Sequence, residues 1–108
     1  MEKFNLPQGT LDLLVLQVLN AGDLHGWGIA QRLNLISGSA LQLQEGTLYP
    51  ALYRMEAKGW IKPEWAPSEN NRRAKFYRLT AVGKKRLAEE QLEWKRLSAV
   101  VALVLRAT

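Results

Sequence analysis

Seven cations stand in residues 72–86 (Arg72, Arg73, Lys75, Arg78, Lys84, Lys85 and Arg86) with no acid among them. The whole chain is divided in the same sense. Residues 1–57 hold three Lys/Arg against five Asp/Glu, and residues 58–108 hold twelve against five, for a formal net charge of +5. Such one-sidedness is the electrostatic footprint of a polyanion, nucleic acid above all. A merely solvated basic face is the alternative. A second group of residues lies in 45–60, EGTLYPALYRMEAKGW. At 100° per residue, Leu48, Ala51, Leu52 and Met55 share one apolar face. The opposite face carries Pro50, Tyr53, Arg54 and Ala57, with Thr47 and Tyr49 at its edges. Small, aromatic and cationic groups on an outward helical face suit a DNA major groove. Arg54, one turn beyond Pro50, has the fork and the reach to pair with a guanine edge; clamping a phosphate is its other reading.

Other chemistries find little to work with. There is one histidine and no cysteine, no Gly-rich phosphate loop, and the acids Asp12, Asp23, Glu45 and Glu56 lack ligand spacing. No enzyme, metal site or cofactor is expected. His25 stands at a helix start, where a ring nitrogen can accept from a free backbone N–H. Absence of cysteine suits a reducing compartment. Residues 1–9 make a poor secretory signal, and no apolar stretch nears the roughly 20 residues of a spanning helix. The expectation is a cytoplasmic protein without a membrane.

The elements that must position these groups follow from the pattern. Residues 10–21 (TLDLLVLQVLNA) put Leu11, Leu14, Val15 and Val18 on one stripe widened by Leu13, Leu16 and Leu19. That is a helix buried on more than one side, with Thr10 as N-cap and Gly22 as stop. Residues 24–28 (LHGWG) read as a turn into a second helix over 27–37, with Ile29, Leu33 and Ile36 toward the core and Gln31 and Arg32 outward. Trp27 is either a core anchor or a contact to a nucleic-acid backbone. The alternation Leu41-Gln42-Leu43-Gln44 reads as an extended connector, so about eight residues join this helix to the third. Thr47 is the expected N-cap of that third helix, Pro50 falls in its first turn, and Gly59 ends it.

Beyond Gly59 the pattern turns to strand. Residues 60–65 are aromatic and β-prone, with Pro63 confining them to a sheet edge. Residues 67–71 are turn chemistry, and 74–79 (AKFYRL) resume a strand with Phe76 and Arg78 on one side and Lys75, Tyr77 and Leu79 on the other. Two strands and a polar tip of Asn70, Asn71, Arg72 and Arg73 make a wing able to straddle a phosphate backbone or enter a minor groove. From Thr80, a good N-cap, a last helix runs to about Ala107. Leu87, Trp94, Leu97, Val101 and Val104 recur at coiled-coil spacing along it. So much apolar surface on a domain of 108 residues calls for a partner, and a second copy is expected. A membrane-surface helix is the rival, disfavoured by the few cations on the polar face.

The segments GTLDLLVLQVL, LHGWGIAQRL, EGTLYPALYRMEAKGWI and SENNRRAKFYRLTAVGKKRL together resemble the PadR-like transcriptional regulators across nearly the whole chain, in their compact form with a single C-terminal helix. The resemblance implies a mainly α fold with a small β-wing. Residues 1–79 would form a winged helix-turn-helix and 80–108 a long C-terminal dimerisation helix, one compact domain overall. It implies a repressor that binds an imperfect palindrome of double-stranded DNA as a homodimer. It assigns DNA contacts to Thr47, Tyr49, Pro50, Tyr53, Arg54, Asn71, Arg72, Arg73 and Lys75. The dimer interface falls to Leu87, Trp94, Leu97, Val101 and Val104. Some compact relatives bind flat aromatic compounds between the paired terminal helices. Trp94 stands where a stacking group would lie, though a packed dimer-core tryptophan reads equally well. Met55 replaces the commoner leucine, and Trp27 a tyrosine whose hydroxyl has no counterpart here. A winged helix used only for protein contacts is the competing function, since fold alone does not decide function.

Overall fold

The computed structural model describes residues 6–108; the first five, part of the 1–9 lead-in, lie outside the described residues. Four helices and a three-stranded antiparallel sheet follow in the order α1 (Gln8–Ala21), β1 (Leu24–His25), α2 (Gly26–Ile36), α3 (Glu45–Ala57), β2 (Ile61–Pro67), β3 (Arg73–Leu79) and α4 (Ala81–Ala107). The sheet order is β1-β3-β2, which leaves β2 and its Pro63 at an edge as expected.

α1 is the hub. Leu11, Val15, Leu16, Val18 and Leu19 are buried, and Leu13 and Leu14 are partly so. Leu33 and Ile29 from α2, Leu48, Ala51, Leu52 and Met55 from α3, and Ile61, Tyr77 and Leu79 from the strands close around it. Each large side chain so buried contributes about 1.5–3 kcal/mol, which decides the face each helix turns inward. α1 starts two residues before Thr10, on Pro7, whose carbonyl accepts from the Leu11 N–H. Thr10 therefore lies in the first turn and is not the N-cap.

His25 and Thr80 cap as expected. His25 Nδ1 accepts from the Gly28 N–H at 2.9 Å, and Thr80 Oγ1 from the Gly83 N–H at 3.0 Å. Residues 24 and 25 do more than turn. They form β1, pairing Leu24 with Tyr77 and His25 with Phe76. Ile36, expected in the core, is exposed at the last turn of α2. The connector turns over 37–39, with positive φ at Gly38 and Ser39, and then runs irregularly over 40–44, pinned by partly buried Leu41 and Leu43 while Gln42 and Gln44 face out.

α3 begins at Glu45, with Gln44 before it, so Thr47 sits inside the first turn and Pro50 in the second. It closes at Gly59, whose φ of +76° carries the chain out of the helix. There Trp60 N–H donates to the Met55 carbonyl and Gly59 N–H to that of Glu56, the paired bonds of a Schellman ending.

Candidate nucleic-acid interface

Burial of Leu48, Leu52 and Met55 leaves Thr47, Pro50 and Tyr53 exposed on the far side of α3. Tyr49 is half-buried, its ring laid on Gly26 at the start of α2. The β2–β3 hairpin rises beside this face. Its tip is held by Ser68 N–H donating to the Arg72 carbonyl at 2.7 Å and Asn71 N–H donating to that of Ser68 at 2.9 Å. Asn71 takes a left-handed φ of +60°, a conformation asparagine tolerates. Asn71, Arg72 and Arg73 are all exposed. Between α3 and the hairpin lies an open hollow of about 500 Å³, walled by Trp27, Tyr49, Tyr53, Trp65, Arg72 and Lys75. Tyr49 and Tyr53 of α3 thus border the same hollow as Arg72 and Arg73 of the wing, with Thr47 and Pro50 exposed on the same helix.

Two of the expected contact residues are otherwise engaged. Arg54 turns away from the exposed face. Its Nη1 donates to Asp12 Oδ2 at 2.8 Å and its Nη2 to Oδ1 at 2.7 Å, a bidentate fork across 42 residues. Asp12 is only 4% exposed. The Asp12 hydrogen bond raises the Arg54 pKa above its ordinary value, with burial opposing. The fork expected to meet a guanine edge is occupied, and this corrects the outward placement of Arg54. Lys75 lies 3.2 Å from Glu56 Oε1 and over the rings of Tyr53 and Tyr77 at 5.6 and 5.5 Å. Burial lowers its pKa, but Glu56 and Tyr77 outweigh that and hold it above the ordinary value. Lys75 joins the wing to α3.

The fold also divides the run of seven cations. Arg78 pairs with Asp23 and Glu64, and Arg86 with Glu89 and Glu90. Lys75 has Glu56. Arg72, Arg73, Lys84 and Lys85 are exposed and form no ion pair among the described residues. Arg73 sits over the Trp65 ring at 5.8 Å, which stiffens the guanidinium without neutralising it.

Two aromatics of this surface carry no clear assignment in the sequence. Trp27 is 59% exposed at the mouth of the hollow, which excludes a core anchor, and Trp65 is exposed on the facing strand. Tryptophan at a helix start and tryptophan in an edge strand are each compatible with a core, so residue type alone gives no signal.

On α4, Leu87 is buried in the core of its own chain at 4% exposure, correcting its place in the interface seam. Trp94, Leu97, Val101 and Val104 are exposed, together with Leu92, Val100, Leu103 and Leu105. A groove of about 770 Å³ runs between α4 and α1, lined by Leu13, Leu14, Gln17, Gln91, Leu92 and Trp94. Among the described residues no group of acids or histidines could hold a metal ion, and no helix is long and apolar enough to cross a membrane.

The sequence model of the transcriptional regulator PadR-like family matches residues 15–89. A PadR family transcription regulator from Clostridium difficile R20291 is 35% identical and superposes with a TM-score of 0.76, covering 88% of this chain and 97% of that one. A transcriptional regulator from Clostridium thermocellum superposes at 0.80 with 29% identity, covering 88% and 92%. An uncharacterized 37.1 kDa protein in transposon TN4556 of Streptomyces fradiae is 37% identical over 89 residues, which is 82% of this chain but 24% of that longer protein.

Proposed function

The chain belongs to the PadR-like family of transcriptional regulators, and from that membership and the geometry above we propose that it is a cytoplasmic repressor that binds an imperfect DNA palindrome as a homodimer. Members of the family are regulators and not enzymes. In this reading Thr47, Pro50 and Tyr53 of α3 meet base edges in the major groove, with Tyr49 beside them. Asn71, Arg72 and Arg73 hold the flanking phosphates. Lys75, paired to Glu56, acts by keeping the wing against α3.

One observation carries the proposal: Tyr49 and Tyr53 of α3 and the two unpaired arginines at the wing tip border the same open hollow. Apolar burial dictates the first and hairpin register the second, so their coincidence on one side is a property of the whole fold. The open strip of Trp94, Leu97, Val101 and Val104 supports pairing with a second copy, because a strip of that extent on an isolated domain invites association. The groove against α1 gives a flat aromatic compound a place beside Trp94, and in this reading such an effector releases the DNA.

A gel shift on the DNA immediately upstream of the protein's own gene tests this reading. A retarded band that resists excess random-sequence duplex supports it. Equal competition by both duplexes removes sequence-specific binding from the account. No retardation at low salt favours a winged helix used for protein contacts.

A further inference from the structure

We infer that Asp12 and Arg54 are positioning residues that set the roll of α3 about its own axis, and with it the register in which α3 meets DNA. The inference rests on the DNA-reading role proposed above. α3 is held to the core by Leu48, Ala51, Leu52 and Met55, and apolar contact is non-directional, so it fixes which face turns inward more strongly than the angle. A bidentate fork between a planar guanidinium and a carboxylate fixes angle and axial position together. Here both hydrogen bonds are made, at 2.7 and 2.8 Å, and Asp12 is the one buried charged side chain among the described residues.

The lever arm is short and effective. Arg54 follows the exposed Tyr53 directly and lies one turn past the exposed Pro50. A roll of about 20° moves a side-chain tip, about 5–6 Å from a helix axis, by about 2 Å. That is enough to break a hydrogen bond to a base edge, while the apolar face stays in contact. Stability gives little reason for the pair: a buried ion pair is commonly neutral or unfavourable against apolar residues of similar volume, and its best-attested use is to specify registry. Asp12 is anchored for the task, since α1 is held in the core by buried Leu11, Val15, Leu16, Val18 and Leu19 and tied to α4 by Gln91 Nε2 donating to Gln17 Oε1 at 2.7 Å.

The test compares three full-length proteins: the unmodified chain, the double variant Asp12→Leu with Arg54→Met, and Arg54→Lys. The double variant leaves net charge unchanged. Duplexes are selected from a random pool with the unmodified chain, and each protein's affinity for the selected and random pools is measured beside its melting temperature. The double variant is expected to melt no lower than the parent and to keep its affinity for the random pool. Its preference for the selected pool should fall by roughly tenfold, on the scale of one base contact. A folded double variant that keeps its preference within about twofold of the parent overturns the inference. Should the double variant not fold, Arg54→Lys decides: it keeps the charge and loses the fork, and an unchanged preference overturns the inference equally. If the unmodified chain enriches no sequence at all, the DNA-reading proposal fails and this inference falls with it.

Discussion

The ring of Tyr49 lies across Gly26, so close that a Cβ on that glycine would come within 2.7 Å of the Tyr49 hydroxyl oxygen and 2.8 Å of Cε1. Glycine is required there for the approach of one side chain and not for a special backbone angle. Because the neighbour is the swinging end of a tyrosine, Gly26→Ala should cost little stability but move the ring that borders the α3 face. The expected outcome is a melting temperature close to the parent and a several-fold loss of DNA affinity. A double-mutant cycle with Tyr49→Ala checks the cause, since Gly26→Ala should do nothing further once the ring is gone.

Gly83 faces a harder obstacle. A Cβ there would lie 2.0 Å from the Trp60 carbonyl oxygen, which is backbone and cannot swing aside. Helix propensity alone favours alanine over glycine by about 1 kcal/mol. Overpacking in the opposite direction costs about 1–3 kcal/mol and sometimes more. Gly83→Ala should therefore destabilise, as measured by chemical denaturation. A stabilised variant would mean that α4 does not start against Trp60.

The wing arginines differ from Arg54 in having no carboxylate to satisfy. Replacing Arg72 or Arg73 by alanine should weaken binding to all sequences alike. The slope of log affinity against log salt should become shallower by about 0.9 for every phosphate that the variant no longer neutralises. Unchanged slopes in both variants would take the wing off the DNA.

Alkaline pH should loosen the junction of wing and α3. Burial holds the Tyr77 phenol above its ordinary 10.0. Lys75, drawn down by burial but raised further by Glu56 and Tyr77, stays above its ordinary 10.5. Both groups hold their protons more tightly folded than unfolded, so their stabilisation is intact below about pH 10 and is lost as pH rises through the folded values. Melting temperature should fall between about pH 10 and pH 12, and Tyr77→Phe should make that fall shallower. A fall of the same steepness in Tyr77→Phe would remove Tyr77 from the cause.

Local chemistry is legible where local chemistry decides. The inward stripe of α1, the caps at His25 and Thr80, the stop at Gly59 and the edge position of Pro63 each depend on a residue type and its near neighbours. The features that escape depend on partners remote in the chain. β1 exists because Tyr77 and Phe76 pair with Leu24 and His25, more than 50 residues away, and two residues alone carry no period. Arg54 sits at a helical angle that reads as outward, but Asp12 lies within reach and turns the side chain aside. Leu87 fits a seam by spacing, yet it is near enough to the base of α4 to be covered by its own chain. Thr47 has the chemistry of a cap, but α3 begins two residues earlier, on Gln44, which supplies no side-chain cap bond.

The central claim is that DNA lies against the exposed half of α3 and the wing tip. Amide hydrogen exchange of the full chain, with and without the duplex from upstream of its gene, reads that interface residue by residue. The account predicts slowed exchange over residues 47–53 and 68–73, with residues 92–105 unchanged by DNA. Protection confined to residues 92–105, with 47–53 and 68–73 exchanging as in the free protein, would contradict it.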